Sequence, residues 1–149
     1  MRPELESELN SLFKLHPVLL AGSIPSQEFS ELELYCGFSL PYGYKEFVTN
    51  YGGAIVGPYP IYGLRRANPM GVKDTSAIAL TERFRSQKAR GINDWLIISM
   101  DLSGSPIGLL PSGEVWLSDY EWDSIERLSP SFEAFLWEVC LKHPPLQNT

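Results

Sequence analysis

The chain has little of what an enzyme of its size usually relies on. Among 149 residues there are two histidines, His16 and His143, and two cysteines, Cys36 and Cys140. Each histidine precedes a proline, at a helix end or in the tail. An imidazole there serves the helix C-terminus more readily than it serves as the base of a Ser/His/Asp or Cys/His set. The cysteines fall on apolar, helix-patterned segments and read as buried free thiols rather than a disulfide. Without paired short spacings, the four residues do not make a zinc site. No apolar run approaches the roughly 20 residues that span a bilayer. Glu4, Glu6 and Glu8 stand where a secretion signal needs positive charge and then an apolar stretch. The expected location is therefore the cytoplasm. Basic residues are also scarce: twelve Lys and Arg face eighteen acids, for a formal charge of −6. Duplex binding depends on neutralising phosphates, so nucleic acid is not an expected partner, whereas a basic protein is.

The chemical motifs are missing as well. Gly52 to Gly57 lacks the Lys-Ser/Thr of a phosphate loop and the helix of a dinucleotide site. Asp101-x-Ser103-Gly104 is not followed by the further acids of a calcium loop and reads as a hairpin turn. No catalytic residue, metal ligand or cofactor is assigned. There is no internal repeat and no low-complexity tract.

What the sequence does hold is a foldable core, with 44% hydrophobic and 12% aromatic residues. At this length one domain over residues 1–149 is expected, burying roughly two thirds of its unfolded surface. Leu5, Leu9, Leu12 and Phe13 predict an amphipathic helix over Glu4–Lys14. A loop follows, with Val18, Leu19 and Leu20 tucked against the core. Ser26 is the expected N-cap of a second helix that buries Phe29, Leu32, Tyr35 and Cys36. Gly37 ends it in the left-handed conformation, and Pro41 opens a third helix with Tyr44, Phe47, Val48 and Tyr51 on one stripe. Gly52-Gly53 stops that helix through backbone flexibility.

Ala54–Leu64 reads as an edge strand or a pair of short strands, broken by Pro58 and Pro60, with Ile61–Leu64 the better strand candidate. Asn68–Gly71 is a turn. A helix is expected over Thr75–Arg90, ended by Gly91. From Trp95 the period changes: Trp95–Met100 is nearly all apolar, as in a strand covered on both faces. Pro106–Leu110 and Glu114–Leu117 follow at hairpin spacing. Ser129 or Ser131 caps a last helix burying Phe132, Phe135, Leu136, Val139 and Cys140, and His143-Pro144-Pro145 stops it. The fold class is α+β, a central mixed or antiparallel sheet with helices packed against it.

Two charged constellations remain. Arg65, Arg66, Lys73, Arg83, Arg85, Lys88 and Arg90 make the middle of the chain basic. Only Phe84 is interleaved for stacking, so a polar helix face with its flanking loop is the better reading. Between Glu114 and Glu126, five acids and three large aromatics fall within thirteen residues. Glu114, Asp119, Tyr120, Glu121, Trp122 and Asp123 are the candidate partner-binding residues, since aromatics are enriched at interface hot spots and acids meet Lys and Arg. The competing reading makes Trp116 and Trp122 core residues and the acids a solvated rim.

The order of pieces between residues 28 and 137 resembles the SUKH superfamily. They are Gly37-Phe38-x-Leu40-Pro41, Tyr44-x-x-Phe47-Val48, Tyr51-Gly52-Gly53, Ile61-Tyr62-Gly63, a hydrophobic strand, Asp101-x-x-Gly104, Gly113-x-Val115 and Ser131-Phe132-x-x-Phe135-Leu136. That group includes the Smi/Knr cell-wall regulator of yeast and many bacterial proteins that neutralise polymorphic toxins. The resemblance implies a mixed or antiparallel sheet with packed helices and a role in binding proteins. It supplies no catalytic residues. In the bacterial branch it implies an immunity protein for a cognate toxin, often a nuclease. The alternatives are a regulatory scaffold of the Smi/Knr type and, more distantly, a small hydrolase.

Overall fold

Leu5, Leu9 and Phe13 recur at four-residue spacing, and the first helix, α1 (Pro3–Leu15), buries all three. Pro3 sits in its first turn, Glu4 and Glu6 beside it and Lys14 in the last, in accord with the helix dipole. The structure, a computed structural model, describes residues 1–146. After α1 the chain makes a 3-10 turn, Pro17–Leu19. Leu19 and Leu20 pack on the core as expected, but Val18 is 59% exposed, because that turn aims it away.

Ser26 does not cap the second helix. It opens a 3-10 turn, Ser26–Phe29, with no side-chain cap bond, and α2 (Ser30–Cys36) grows out of that turn. Phe29 and Leu32 are buried, whereas Tyr35 and Cys36 are half-buried. Gly37 ends α2 at φ 77°, its N–H on the Glu33 carbonyl. Pro41 precedes α3 (Tyr42–Tyr51), which buries Tyr44, Phe47, Val48 and Tyr51. Phe47–Tyr51 at 5.2 Å and Tyr44–Phe132 at 5.1 Å pack edge to face, and Phe13 tilts against Tyr51 at 4.9 Å. Full burial of each such ring contributes about 2–3 kcal/mol, and edge-to-face pairing adds about 1 kcal/mol. Both hydroxyls in the stripe are satisfied: Tyr44 O–H donates to the Tyr62 carbonyl and Tyr51 O–H to Asn10 Oδ1, each at 2.7 Å.

Gly52 and Gly53 do more than stop α3. Gly52 takes φ 75°, and its carbonyl accepts the N–H groups of Leu64 and Arg65 at 3.0 and 3.1 Å. A Cβ on Gly53 would lie 2.1 Å from the Arg65 carbonyl oxygen. Close approach of two backbones, and not flexibility alone, requires this pair. The next segment is a pair of short antiparallel strands, β1 (Ala54–Val56) and β2 (Tyr59–Ile61), turning at Gly57-Pro58. Of the expected strand Ile61–Leu64 only Ile61 belongs to β2, because the Gly52 carbonyl claims the amides beyond Gly63. Tyr62 N–H still reaches the Ile98 carbonyl at 2.7 Å and ties this hairpin to the larger sheet.

Ser76 caps α4 (Ala77–Ser86), its Oγ accepting the Ala79 N–H at 3.1 Å. The helix ends before the expected Gly91. Lys88 adopts φ 57°, Lys88 N–H bonds Arg85 O, and Ala89 N–H bonds Phe84 O, the paired closure of a Schellman motif. A lysine in that position carries no glycine-like signal. Four antiparallel strands follow in chain order: β3 (Leu96–Met100), β4 (Pro106–Leu109), β5 (Val115–Asp119) and β6 (Ser124–Ser129). Residues 96–99 and all of β4 are buried, so both faces of the inner sheet are covered. Strand β6 is an addition to the expected set. It is the exposed edge, and Glu126 and Arg127 on it discourage further pairing. Ser131, of the two serines considered, caps α5 (Phe132–Ala134), which runs into a π-helical stretch, Phe135–Cys140. Phe132, Phe135, Leu136 and Cys140 are buried there, with Val139 half-buried. The class is α+β as expected, and both sheets are antiparallel.

Candidate protein-binding site

The acidic-aromatic segment is the hairpin of β5 and β6. Asp119 pairs with Ser124, and Tyr120–Asp123 form the tip between them. A four-residue tip of this kind needs its amides satisfied locally, and Asp119 does so. Its Oδ1 accepts the N–H of Glu121 at 2.9 Å and of Trp122 at 3.3 Å. Asp123 closes the tip at φ 47°, a conformation Asp tolerates better than most residues.

Several contacts brace the tip against the end of α4 and the loop after it. Tyr120 N–H donates to the buried Ser105 Oγ at 3.2 Å, and Tyr120 O–H to Gln87 Oε1 at 3.3 Å. The Tyr120 ring lies 6.3 Å from that of Phe84. Arg90 pairs with Asp123 at 3.2 Å, and its carbonyl accepts the Ser118 hydroxyl at 2.7 Å. Gly91 leaves room for Ile125 beside it. Trp122 itself stays 78% exposed, Tyr120 50% and Ile125 43%. An apolar anchor thus stands in solvent on a backbone held at both ends, with Asp119, Glu121 and Asp123 around it. Core burial of Trp122 is ruled out. Trp116 is half-buried, while its neighbours Val115 and Leu117 face the core.

The six candidate residues do not all come together. Glu114 stands at the far end of β5, about 16 Å along the strand from Asp119. There it pairs with Arg127 at 3.1 Å and accepts from Ser112 and from Trp116 Nε1. The Arg127 guanidinium is the first cause that holds the Glu114 carboxyl below its usual range. Glu114 therefore belongs to the base of the hairpin, and Asp119, Tyr120, Glu121, Trp122 and Asp123 to its tip. The bracing residues Gln87, Arg90, Ser105 and Ser118 escape a reading of sequence, since no local pattern links them to a tip up to 33 positions away.

The other chemistry-bearing groups are spent on structure. His16 closes α1 through its backbone N–H on the Leu12 carbonyl, and among the described residues its exposed imidazole bonds no nucleophilic side chain. His143 Nε2 meets the Glu8 carboxylate at 2.6 Å and stacks on Trp137 at 4.1 Å, pinning the C-terminal segment to α1. Burial pushes the Cys36 thiol up to about 11 and the Cys140 thiol higher still, so neither forms a thiolate nucleophile near neutrality. Among the described residues no group of three His, Cys, Asp or Glu side chains is placed to hold a metal ion, and no helix is long and apolar enough to cross a membrane. The central basic residues are mostly engaged. Arg83 grips Asp74 with bonds of 3.0–3.1 Å, Arg65 pairs with Glu28 at 2.8 Å, and Arg85 bonds the Asn93 carbonyl at 3.1 Å.

No curated protein matches the chain. The family model described as SMI1 / KNR4 family (SUKH-1) matches residues 23–138. That span contains every motif quoted for the resemblance, α3, the hairpin tip and its braces. By this match over most of its length, the chain belongs to the SMI1 / KNR4 family (SUKH-1).

Proposed function

We propose that this protein is a non-catalytic binding module that acts as an immunity protein, occupying and neutralising a cognate toxin. Family membership supports the class, since members are generally immunity or regulatory proteins rather than catalysts. The observation that carries the reading is Trp122, 78% exposed on the braced, acidic hairpin tip. A large aromatic presented on a backbone already braced before contact spares the ordering of that loop on binding, which favours high affinity at interface anchors.

The partner that fits is a basic toxin domain. A nuclease must line its groove with Lys and Arg to hold phosphates, and Asp119, Glu121 and Asp123 can take the place of those phosphates while Trp122 fills an apolar recess. Such a complex forms fast at low salt and more slowly as salt screens the steering field. The free thiols Cys36 and Cys140 suit a reducing compartment, and we place the protein in the cytoplasm. A regulatory scaffold of the Smi/Knr type is the second reading, supported by the name of the matched family.

The test begins with capture from the native host and identification of what is bound. Charge reversals Asp119→Lys, Glu121→Lys and Asp123→Lys, with a separate Trp122→Ala, are then assayed for binding and for thermal unfolding. The expected result is weakened capture of a basic toxin domain, with unchanged melting for Glu121→Lys and Trp122→Ala. A modest drop is expected for Asp119→Lys and Asp123→Lys, which lose the tip amide bonds and the Arg90 pair. If all four variants fold and bind like the wild type, the tip is only a solubility device.

A further inference from the structure

Away from the hairpin tip, the loop after the first 3-10 turn and the segment after Gly63 enclose an open cleft of about 400 Å³. Its lining includes Ser23, Arg65, Arg66, Asn68 and Thr75. On a chain with eighteen acids and twelve bases, this lining includes two arginines and no acidic residue. Two acids lie close by, and each is already paired. Glu28 bonds Arg65 at 2.8 Å, and Asp74, 5% exposed, is gripped by Arg83. Arg66 is half-buried and, among the described residues, bonds no carboxylate or carbonyl. The side chains of Ser23, Asn68 and Thr75 likewise have no hydrogen-bond partner among the described residues.

A guanidinium on the wall of a cleft with no counter-charge among the described residues keeps its five fixed donors available to a visiting anion. Two hydroxyls and an amide opening on the same cleft extend the donor set beyond what a carboxylate can accept. We propose that this cleft binds a phosphoryl group carried by a small molecule, with Arg66 as the principal ligand. A phosphate offers at least three strong acceptor oxygens, which the planar guanidinium fork can meet in pairs while Ser23, Asn68 and Thr75 take the remainder. The volume suits a ligand the size of a phosphate monoester and falls at the small end of ligand sites. The polar lining disfavours an acyl chain. Arg65, half neutralised by Glu28, contributes a softer positive wall.

The site is tested by following backbone amide shifts of the full chain during titration at constant ionic strength. The probes are inorganic phosphate, glycerol phosphate as a simple monoester, and acetate. Saturable shifts near residues 21–23, 64–68 and 75 are expected with phosphate or the monoester and not with acetate. Tighter binding of the monoester assigns an esterified ligand, and tighter binding of phosphate assigns the free ion. Arg66→Ala should weaken binding at least about tenfold, the worth of one charge-assisted pair. Arg66→Lys should fall between, and Arg127→Ala should bind like the wild type. Melting curves confirm that each variant folds. The proposal is overturned by absence of saturation up to about 10 mM phosphate, weaker than any useful affinity. Equal shifts with acetate, or wild-type binding by folded Arg66→Ala, overturn it as well.

Discussion

Thr81 offers the cleanest single-atom test of how the platform beneath the hairpin is held. It is fully buried on α4, donates its hydroxyl to the Ala77 carbonyl at 2.7 Å, and accepts the Ile97 N–H at 2.8 Å. That amide sits where β3 shifts register against β4, between Ile97 and Ser99, so the hydroxyl supplies what the ladder does not. Thr81→Val keeps the shape and the β-branch, and hence the helix propensity, and removes the hydroxyl as donor to Ala77 and as acceptor from Ile97. Of the two partners only the Ile97 N–H is left with no other bond, since the Ala77 carbonyl keeps its helical one. The buried Ile97 N–H is then orphaned, at a cost of about 2 kcal/mol. For a domain of this size that lowers Tm by roughly 6 °C. Thr81→Ser keeps the acceptor and loses one buried methyl group, for about 1 kcal/mol. Urea unfolding should report a lower midpoint at unchanged slope, and hydrogen exchange should speed up selectively at Ile97. A Thr81→Val variant as stable as the wild type, or more stable than Thr81→Ser, would refute the assignment.

Gly57→Ala is expected to cost at least about 3 kcal/mol, because it joins a left-handed backbone to an overlap with backbone atoms. Gly57 has φ 60°, and an added Cβ would stand 2.1 Å from the Cys140 carbonyl oxygen. Gly37→Ala, at φ 77° with open space around it, should cost only about 1 kcal/mol, and comparing the two melting temperatures separates overlap from conformation. At high pH the tyrosines set the limit. Burial raises the Tyr51 phenol to about 12 and pushes Tyr44 well above its ordinary 10.0, so their unfolded pKa values lie below the folded ones. Their contribution is fully present below pH 10 and is lost as pH rises toward 12. The share of phenolate absorbance that belongs to these two, the part lost in Tyr44→Phe and Tyr51→Phe variants, should therefore appear together with unfolding in that window. Ionisation of both in a fully folded chain would contradict the packing described.

The parts of the fold that sequence announces are those where one residue decides a local outcome. The four-residue spacing of Leu5, Leu9 and Phe13, the left-handed Gly37 and the apolar run of β3 all behave so, whereas the sequence offers Ser129 and Ser131 alike as the last cap and the fold selects Ser131. The parts it hides depend on what lies across the molecule. Strand β6 reads Ser-Ile-Glu-Arg-Leu-Ser, with no alternation, because an edge strand with five of six residues at least partly exposed has no face to pattern. Lys88 ends α4 through carbonyls it cannot advertise. The Gly52-Gly53 pair signals a break but not the approach of Arg65. At the site, the tip was legible as a crowd of acids and aromatics, and Trp122 as a residue awkward to bury. The separation of Glu114 from that tip required strand length and the Arg127 pairing. The braces from Gln87 and Arg90 required the tertiary fold.

The central claim is that the hairpin tip, with Trp122 as its anchor, is the surface that grips a protein partner. Equilibrium titration of the captured partner against wild type, Trp122→Ala and Glu114→Gln tests it most directly. Loss of an aromatic anchor is expected to cost about 2–4 kcal/mol, so Trp122→Ala should raise Kd by at least roughly 30-fold. Its folding stability should stay within about 0.5 kcal/mol of wild type, since the side chain lies in solvent. Glu114→Gln, at the base of the hairpin, should bind within about threefold of wild type, as an exposed pair of charges is worth little. A folded Trp122→Ala protein that binds as tightly as the wild type, or a larger loss from Glu114→Gln, would contradict the account.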